Sequence, residues 1–320
     1  MVKYLFVISV LFIISCKENS IKIEVKSSDW LINKLNIEQA IFRNNLIYLD
    51  IPVSNDTLTF FTDTGGGRFV YPEVTSAKEL KIDSSYEENK LTETVDLDEL
   101  FLESKVPKPS SSYSIYRGEK YRNDFNAGML GSFWFGNRIW EFNYEDKSLY
   151  SIDTIHWSKV NSSHPVQLGL QKDESGNFTT HFPSIEMIVQ NDTIPVLFDT
   201  GATINPSSDA LVYFNNKERV GGSFIITSIF DKWKSENPDW KVIDGGDTSI
   251  GADIIEVPEI IIGNHTVGPV WFAKRADQNF KEWMSKWMDK TIEGAIGGSC
   301  FKHFKSISID YPNQKALFLR

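Results

Sequence analysis

The feature of this 320-residue sequence that most constrains its fold is a segment that occurs twice. Residues 55–66 read NDTLTFFTDTGG and residues 191–202 read NDTIPVLFDTGA, so the two align without a gap at an offset of 136 (191 minus 55). A second pair follows, with GMLGS at 128–132 and GAIGG at 294–298. Each of these is followed by an aromatic segment and a closing apolar run, at 139–144 and 307–311. Because a repeated segment indicates a duplicated structural unit, the sequence predicts two copies of one β-rich lobe.

The apolar runs of the chain are short and rich in β-branched and aromatic residues, which is typical of strands. Runs at 46–53, 58–61 and 185–189 are examples. The turn sequences SND at 54–56 and QND at 190–192 each separate two such runs and predict hairpins. We therefore expect an all-β fold with a few short helices.

The predicted organisation of the chain has five parts. The polar and charged stretch near residues 20–28 is expected to be a spacer, and the folded body is expected to begin near Leu31. The parts are a signal peptide at 1–15, a tether at 16–30, a first lobe at 31–154, a linker at 155–164 and a second lobe at 165–320.

One segment of the second lobe favours a helix. Its apolar residues follow at intervals of three and four, which places them on one helix face: Phe280, Trp283, Met284, Trp287 and Met288. We expect this face to pack against the second lobe. A wall of a substrate site or a contact with a membrane surface are the alternatives.

Each copy of the repeat carries Asp-Thr-Gly directly after an apolar run, at 63–65 and at 199–201. A given tripeptide occurs by chance in about one chain in ten of this length, but two copies in register are much harder to explain by chance. The two segments resemble those of the bilobal aspartic proteases, with the chain organisation of pepsin and the Asp-Thr-Gly-Ala motif of retropepsins. The resemblance covers most of the chain after the signal peptide and implies a two-lobed pepsin/retropepsin-like fold.

The resemblance also implies which residues form a site. Asp63 and Asp199 correspond to the two catalytic aspartates of the family, one from each lobe. Thr64 and Thr200 correspond to the threonines that join the two loops by hydrogen bonds. The other implied supporting residues are Gly65, Gly66, Gly201 and Ala202 in the loops, and Leu130, Gly131, Ile296 and Gly297 in the strands that pass behind them.

The sequence departs from the family pattern after the first Asp-Thr-Gly. Pepsin-like enzymes commonly have Ser or Thr at this position, where its hydroxyl bonds the outer carboxylate oxygen, whereas this chain has Gly66 and, in the second copy, Ala202. Ala is the usual retropepsin residue, so the second copy fits that pattern. The absence of a hydroxyl at Gly66 predicts a looser first loop and weaker stabilisation of ionised Asp63.

The resemblance implies a flap that closes over substrate between each aspartate and its supporting glycine. In the first lobe it is expected within residues 78–105, where Ile82 to Val95 reads as an exposed hairpin rich in Glu, Lys and Thr. Tyr86 is the candidate flap tyrosine.

Two aspartates held a few ångströms apart cannot both ionise, so they share one proton. One can then act as a base and the other as an acid on a water that attacks a peptide carbonyl. The expected activity is an aspartic endopeptidase that uses Asp63 and Asp199 and requires no metal or cofactor. An inactive protease-fold lipoprotein that binds peptides or proteins is the alternative. A glycosidase leaves the duplicated register unexplained, and polysaccharide binding is suggested only by the nine tryptophans and the lipoprotein signal.

The N-terminus reads as an export signal, with Lys3 followed by an apolar stretch of about 11 residues. This stretch is shorter than the roughly 20 residues that span a bilayer. The sequence IISC at 13–16 resembles a bacterial lipobox, which implies cleavage before Cys16 and a lipid on that cysteine. We expect an exported, lipid-anchored protein of the bacterial outer membrane, and the sequence leaves open whether it faces the periplasm or the cell surface.

Composition excludes several other classes of function. The chain has 33 basic and 43 acidic residues, a net charge of −10, and no basic run, so nucleic acid is not an expected partner. Cys16 and Cys300 are the two cysteines, which excludes a disulfide framework, and Cys300 is expected in the core. The five histidines lack metal-binding spacing, so no metal site is predicted. Because both aspartates lie in one chain, a monomer with a peptide or protein substrate suffices.

Overall fold

A computed structural model describes residues 30–53, 56–87, 90–102, 105–109, 111–118, 125–160 and 165–320. The predicted signal peptide, Cys16 and all of the tether but Trp30 lie outside these residues, as do positions 54–55, 88–89 and 161–164. The described part of the chain contains 25 strands and five short α-helices, which confirms the all-β prediction. No helix among the described residues is long and apolar enough to cross a membrane.

The first half of the chain forms eleven strands and three helices. In chain order they are β1 Leu31–Asn36, β2 Ala40–Arg43, β3 Leu46–Val53, β4 Asp56–Thr62, β5 Phe69–Val70, α1 Pro72–Lys78, β6 Ile82–Glu87, β7 Lys90–Val95, α2 Asp98–Phe101, β8 Tyr113–Ile115, β9 Gly128–Leu130, α3 Ser132–Phe135, β10 Ile139–Asn143 and β11 Ser148–Ile155.

The second half forms fourteen strands and two helices. They are β12 Pro165–Gln167, β13 Ser184–Val189, β14 Asp192–Phe198, β15 Thr203–Ile204, β16 Val220–Gly221, β17 Phe224–Ile226, α4 Thr227–Glu236, β18 Val242–Asp247, β19 Ala252–Val257, β20 Ile260–Ile262, β21 His265–Val267, β22 Val270–Arg275, β23 Gly294–Ile296, α5 Gly298–Phe301, β24 Ser306–Asp310 and β25 Lys315–Leu319.

Three large sheets organise these strands. The first half supplies an eight-stranded sheet in the order β2-β3-β4-β9-β5-β8-β7-β6, and the second half a nine-stranded sheet in the order β18-β19-β22-β17-β23-β14-β13-β20-β21. A six-stranded sheet, β1-β11-β10-β24-β25-β12, contains strands from both halves. Strands β15 and β16 form a separate pair. The lobe boundaries at 31–154 and 165–320 stay a prediction.

The repeated segments occupy equivalent places in the two half-chain sheets. In the first half β4 pairs with β3 on one side and with β9, in parallel, on the other. In the second half β14 pairs in the same way with β13 and, in parallel, with β23. Strands that bury one face alternate apolar and polar residues, and this alternation favours the two hairpins. The parallel partner strand places each supporting glycine beside its Asp-Thr-Gly loop.

The six-stranded sheet joins the two copies at a local symmetry axis. Strands β10 and β24 begin 167 residues apart (306 minus 139) and pair antiparallel. Glu141 lies opposite Ser308, which is also 167 residues away (308 minus 141). Because a residue pairs directly with its own equivalent, a pseudo-two-fold axis passes between Glu141 and Ser308.

An aromatic core connects this sheet to the two loops. Phe198, the last residue of β14, stacks on Phe301 with ring centroids 4.4 Å apart and contacts Phe142 of β10 at 6.1 Å. All three rings are fully buried. Cys300 is also buried, and burial raises the pKa of its thiol, so the prediction that it is a core residue agrees with the structure.

The segment at 280–288 is helical but does not form the single regular α-helix that its spacing predicts. Residues Asn279–Trp283 form a single π-helical turn, and Met284–Trp287 form a 3-10 turn. Phe280 and Met288 are buried, but Trp283 and Trp287 are 55% and 56% exposed. Residues spaced by three and four lie on one face only when the helix has 3.6 residues per turn. Because the helical period changes within this segment, the two tryptophans no longer lie on the buried face.

Candidate active site

Each aspartate of the repeat lies at the end of a central strand. The N–H of Asp63 donates to the carbonyl of Leu130 at 3.0 Å, and the N–H of Asp199 donates to the carbonyl of Ile296 at 2.9 Å. These bonds continue the parallel pairing of β4 with β9 and of β14 with β23. The supporting strands therefore hold the two aspartates in the same way.

The two loops touch each other through their glycines. The N–H of Gly65 bonds the Asp63 carboxyl at 2.8 Å, and that of Gly201 bonds the Asp199 carboxyl at 2.9 Å. A Cβ added to Gly201 would lie 2.1 Å from Cγ of Asp63, and one added to Gly65 would lie 2.6 Å from Cγ of Asp199. Since real Cβ atoms do not come so close to other atoms, each aspartate is in contact with the glycine of the opposite loop.

The two threonines join the loops by hydrogen bonds. The hydroxyl of Thr64 donates to the carbonyl of Phe198 at 2.8 Å and accepts the N–H of Thr200 at 3.0 Å. In the reverse direction the N–H of Thr64 donates to the hydroxyl of Thr200 at 3.1 Å. Both threonines are fully buried. The structure thus joins the loops by reciprocal bonds, as the resemblance implies.

Gly131 and Gly297 fit tightly behind the loops. A Cβ on Gly131 would lie 1.8 Å from the carbonyl oxygen of Gly67, and one on Gly297 would lie 2.4 Å from that of Asp199. The Gly297 N–H also donates to the Ser223 hydroxyl at 3.1 Å. Only a residue without a side chain allows the supporting strand to approach this closely.

Gly66 lies in close contact with its surroundings. A Cβ at this position would lie 2.5 Å from the sulfur of Met129 and 2.6 Å from Oδ2 of Asp63. The N–H groups of Gly65, Gly201 and Gly66 act to lower the pKa of Asp63. Backbone donors therefore favour the ionised form of Asp63, and the expectation of a looser first loop stays a prediction. In the second copy the Cβ of Ala202 is buried against Gly297.

The Asp63 and Asp199 carboxyls are hydrogen-bonded to each other, and each residue is only 8% exposed. Burial raises the pKa of both groups because removal from water disfavours the charged form. The pKa of Asp199 lies well above its ordinary value, since Asp199 also faces the charge of Asp63. The bond to Asp199 and the backbone donors oppose this rise at Asp63. The pair is therefore arranged to hold one proton, with Asp63 as the more readily ionised member.

An aromatic cluster borders this pair and was not predicted from the sequence. It consists of Leu46, Tyr48, Phe61, Tyr71 and Phe125, with Phe69, Tyr116 and Met129 packed against it. Phe61 stacks on Phe125 at 5.5 Å, and Phe61 precedes Asp63 by two residues. The sequence signal was the alternation of β4, which sends Phe61 and Asp63 to the same face, but the partners come from distant strands.

Tyr311 was also missed. Its ring is fully buried and its hydroxyl has no hydrogen-bond partner among the described residues. Burial, and next the nearby charge of Asp63, raise the pKa of its phenol. The offset of 167 makes Tyr311 the equivalent of Tyr144 (311 minus 144), which is also buried. The pair belongs to the closing segments of the two copies.

The hairpin expected for the flap is present as β6 and β7, which pair antiparallel from Ile82 opposite Val95 to Glu87 opposite Lys90. Its tip at 88–89 lies outside the described residues. The side chain of Tyr86 is 78% exposed and so packs against little of the protein. The role of Tyr86 as a flap tyrosine stays a prediction.

The described part of the chain contains no group of three His, Cys, Asp or Glu residues that could hold a metal ion. Neither models of protein families nor curated proteins show a match to this sequence. The chemistry of the site must therefore be derived from its own geometry.

Replacement of Thr64 by Val should destabilise the fold. Val keeps the shape of Thr but leaves the N–H of Thr200 and the carbonyl of Phe198 without their partner in a buried place. With about 1–3 kcal/mol lost per unsatisfied buried group, the free energy of unfolding should fall by about 2–6 kcal/mol in urea titrations. Thr64→Ser retains the hydroxyl and should lose much less. Equal stability of the Val and Ser variants would contradict the role of these bonds.

Two neighbouring glycines provide a matched test of the packing behind the first loop. Gly131→Ala places a methyl group against the carbonyl of Gly67 and should lower the free energy of unfolding by about 1–3 kcal/mol or more. Gly67→Ala meets no atom within 4 Å and should change it by less than about 1 kcal/mol. Thermal unfolding measures both. If the two variants have the same melting temperature, the supporting strand does not pack against the first loop as closely as described.

Proposed function

We propose that the protein is an aspartic endopeptidase of the bilobal kind, with Asp63 and Asp199 as its catalytic pair. The observation that carries the proposal is the contact of two buried carboxyls, hydrogen-bonded to each other across a pseudo-two-fold arrangement. Burial of two acids side by side is costly. Reciprocal glycine and threonine contacts between the loops hold the two acids together in spite of this cost. Such buried pairs of acids are typical of sites that serve a reaction.

The proposed reaction is the hydrolysis of a peptide bond by a water held between the two carboxyls. Ionised Asp63 accepts a proton from the water as its oxygen attacks the carbonyl carbon, while Asp199 gives its proton to the carbonyl oxygen. The resulting tetrahedral diol collapses as Asp63 returns the proton to the leaving nitrogen. Asp199 then recovers its proton from a hydroxyl of the diol. The pair ends with one proton, as it began.

The roles of the two acids follow from their surroundings. Three backbone N–H groups and the bond from Asp199 favour the ionised form of Asp63. Burial and the facing charge of Asp63 favour the protonated form of Asp199, and the N–H groups of Gly201 and Ala202 oppose this in part. Environments that push the pKa values of two neighbouring acids apart assign one as base and the other as acid.

The proposed substrates are extended peptides with an apolar residue next to the bond that is cut. The aromatic cluster is itself buried, so the apolar preference is carried by the resemblance to the family and not by an open pocket. An extended peptide would present side chains alternately to the two sides of the pair.

The alternative function was an inactive protease-fold lipoprotein that binds peptides or proteins. Its grounds are Gly66, which supplies no hydroxyl to the first loop, and a flap hairpin that no Gly-rich tip marks. For polysaccharide binding the ground is the nine tryptophans, of which Trp30, Trp134, Trp140, Trp233 and Trp271 are buried and Trp283 and Trp287 are exposed. The lipid anchor at Cys16 stays part of the proposal and would hold the peptidase at a membrane, in the location expected from the sequence.

The direct test is cleavage of a diverse peptide mixture by the purified protein from acidic to neutral pH. Asp63→Asn and Asp199→Asn should each lower kcat/KM by about 10²–10⁴-fold or more, because each removes a proton-transfer group. The wild-type pH profile should be bell-shaped, and its alkaline limb should lie above the ordinary aspartate range because the pKa of Asp199 is raised. A folded wild-type protein that cuts nothing, or that cuts equally well as either Asn variant, would disprove the proposal.

The same variants should be more stable than the wild type at neutral pH. When the folded-state pKa of a carboxyl is raised, the folded state binds the proton more tightly than the unfolded state. Stability is then lost as the pH rises from the ordinary aspartate pKa through the raised value. Asp199→Asn removes this loss, so its advantage in urea titrations should appear in that window and vanish at lower pH.

Asp239→Asn, at an exposed position, serves as the matched control for the effect of the substitution itself. If Asp199→Asn is less stable than the wild type at neutral pH, the carboxyl is not a buried acid of raised pKa.

A further inference from the structure

We propose that the hydroxyl groups of Ser223 and Ser299 position the loop of Asp199, through a series of buried hydrogen bonds that ends on the backbone of Gly297. This inference rests on the proposed function and adds two positioning residues to that same site. The two serines are 76 residues apart in the sequence and are 0% and 2% exposed. Neither belongs to an Asp-Thr-Gly segment.

The series of hydrogen bonds begins on strand β22. The Ser299 hydroxyl donates to the backbone carbonyl of Trp271 at 2.9 Å and lies 2.8 Å from the Ser223 hydroxyl. Because a hydroxyl has one proton, and Ser299 gives its proton to Trp271, Ser223 donates to Ser299. The Ser223 oxygen in turn accepts the N–H of Gly297 at 3.1 Å. These three bonds form a serine bridge between β22 and Gly297.

The serine bridge ends directly behind Asp199. The residue before Gly297 accepts the N–H of Asp199 on its carbonyl at 2.9 Å. A Cβ added to Gly297 would lie 2.4 Å from the carbonyl oxygen of Asp199 and 2.6 Å from that of Gly222. Gly222 precedes Ser223 and donates its N–H to the carbonyl of Ala202 at 2.7 Å. The segment that carries Ser223 therefore contacts both the second loop and the strand that supports it.

The first copy has different side chains at the two positions. Strand β5 pairs with β9 as β17 pairs with β23, which makes Arg68 the equivalent of Ser223. The segments GMLGS and GAIGG differ by 166 (294 minus 128), which makes Phe133 the equivalent of Ser299 (133 plus 166). The guanidinium of Arg68 lies over the ring of Phe133 at 4.4 Å. The shared backbone plan therefore does not require a serine bridge, and the second copy needs one for a reason of its own.

That reason is the length of chain between each loop and the strand that follows it. Strand β5 begins six residues after Asp63 (69 minus 63), so the chain itself keeps its start close to the first loop. Strand β17 begins 25 residues after Asp199 (224 minus 199). A connection of this length does not by itself fix the distance between its ends. Non-covalent bonds therefore have to hold the segment at 222–223 against the second loop, and the bond from Gly297 to Ser223 is one of them.

Loss of the serine bridge should let the second loop move. Without the Ser223 hydroxyl, the buried N–H of Gly297 loses its acceptor, which favours a shift of the supporting strand toward water or another partner. Asp199 would then lie farther from Asp63 and be more open to water. Both changes lower the pKa of Asp199, because burial and the facing charge are what raise it. The consequence falls on the reaction as well as on stability.

The test compares Ser223→Ala with the wild type on a peptide that the wild type cuts. The kcat should fall about tenfold or more, because displacement of a reacting group by about 1 Å can cost about 10²-fold, and KM should change by less than about twofold. The alkaline limb of the pH profile should move toward the ordinary aspartate range. Ser299→Ala keeps the acceptor of Gly297 and should lose less kcat. The double variant should lose no more than Ser223→Ala, since both serines act through one bond.

Ser184→Ala is the matched control. This serine is 1% exposed and its hydroxyl donates to Asp289 at 2.6 Å, so the variant also removes a buried hydroxyl. It should keep the kcat and pH profile of the wild type, and an equal loss of kcat in it would overturn the inference. Folded Ser223→Ala with the kcat and pH profile of the wild type would overturn it too and leave the peptidase intact. If Ser223→Ala does not fold, the same result for Ser299→Ala has the same meaning.

If the wild type cuts no peptide, the proposed function fails, and urea unfolding as a function of pH decides the inference. The wild type should lose stability as the pH rises from the ordinary aspartate pKa through the raised pKa of Asp199. In Ser223→Ala this loss should be smaller and should end at a lower pH, whereas Ser184→Ala should keep the full loss. Equal losses in the wild type and Ser223→Ala would overturn the inference.

Discussion

The contact between the two Asp-Thr-Gly loops is the constraint on which the rest of the structure depends. Each aspartate lies against the glycine of the other loop, and each threonine forms a hydrogen bond with the other loop. Such a contact is possible only if the two strands that lead to the loops end at the same place and in related orientations. The six-stranded sheet, in which Glu141 lies opposite its own equivalent Ser308, provides that relation.

This constraint conflicts with stability at neutral pH, because it buries two acids next to each other. The fold limits the cost in two ways. Backbone N–H groups lower the pKa of both aspartates, and burial with the facing charge raises that of Asp199, so the two carboxyls favour sharing one proton. The aromatic core around Phe198 and Phe301 then packs behind the second loop. Structures tend to depart from locally optimal choices where a function requires it.

The two copies share a backbone plan but differ at the edge of the site. The first loop has Gly66 packed against Met129, whereas the second has Ala202. The strand that follows the first loop directly, β5, corresponds to β17 in the second copy, which follows its loop only after residues 203–223. A symmetric backbone plan therefore carries an asymmetric set of side chains and connections around the two aspartates.

The sequence by itself determined the duplication, the strands at 46–53 and 185–189, and the residues that meet at the site, because these depend on local alternation and on a motif repeated in register. It did not determine that β10 pairs with β24, since the register of distant strands is set by packing and not by local preference. It also did not determine that residues 279–287 divide into a π-helical and a 3-10 turn. Only the tertiary structure decided these, together with the approach of Met129 to Gly66 and the aromatic cluster, because each depends on contacts between residues far apart in the chain.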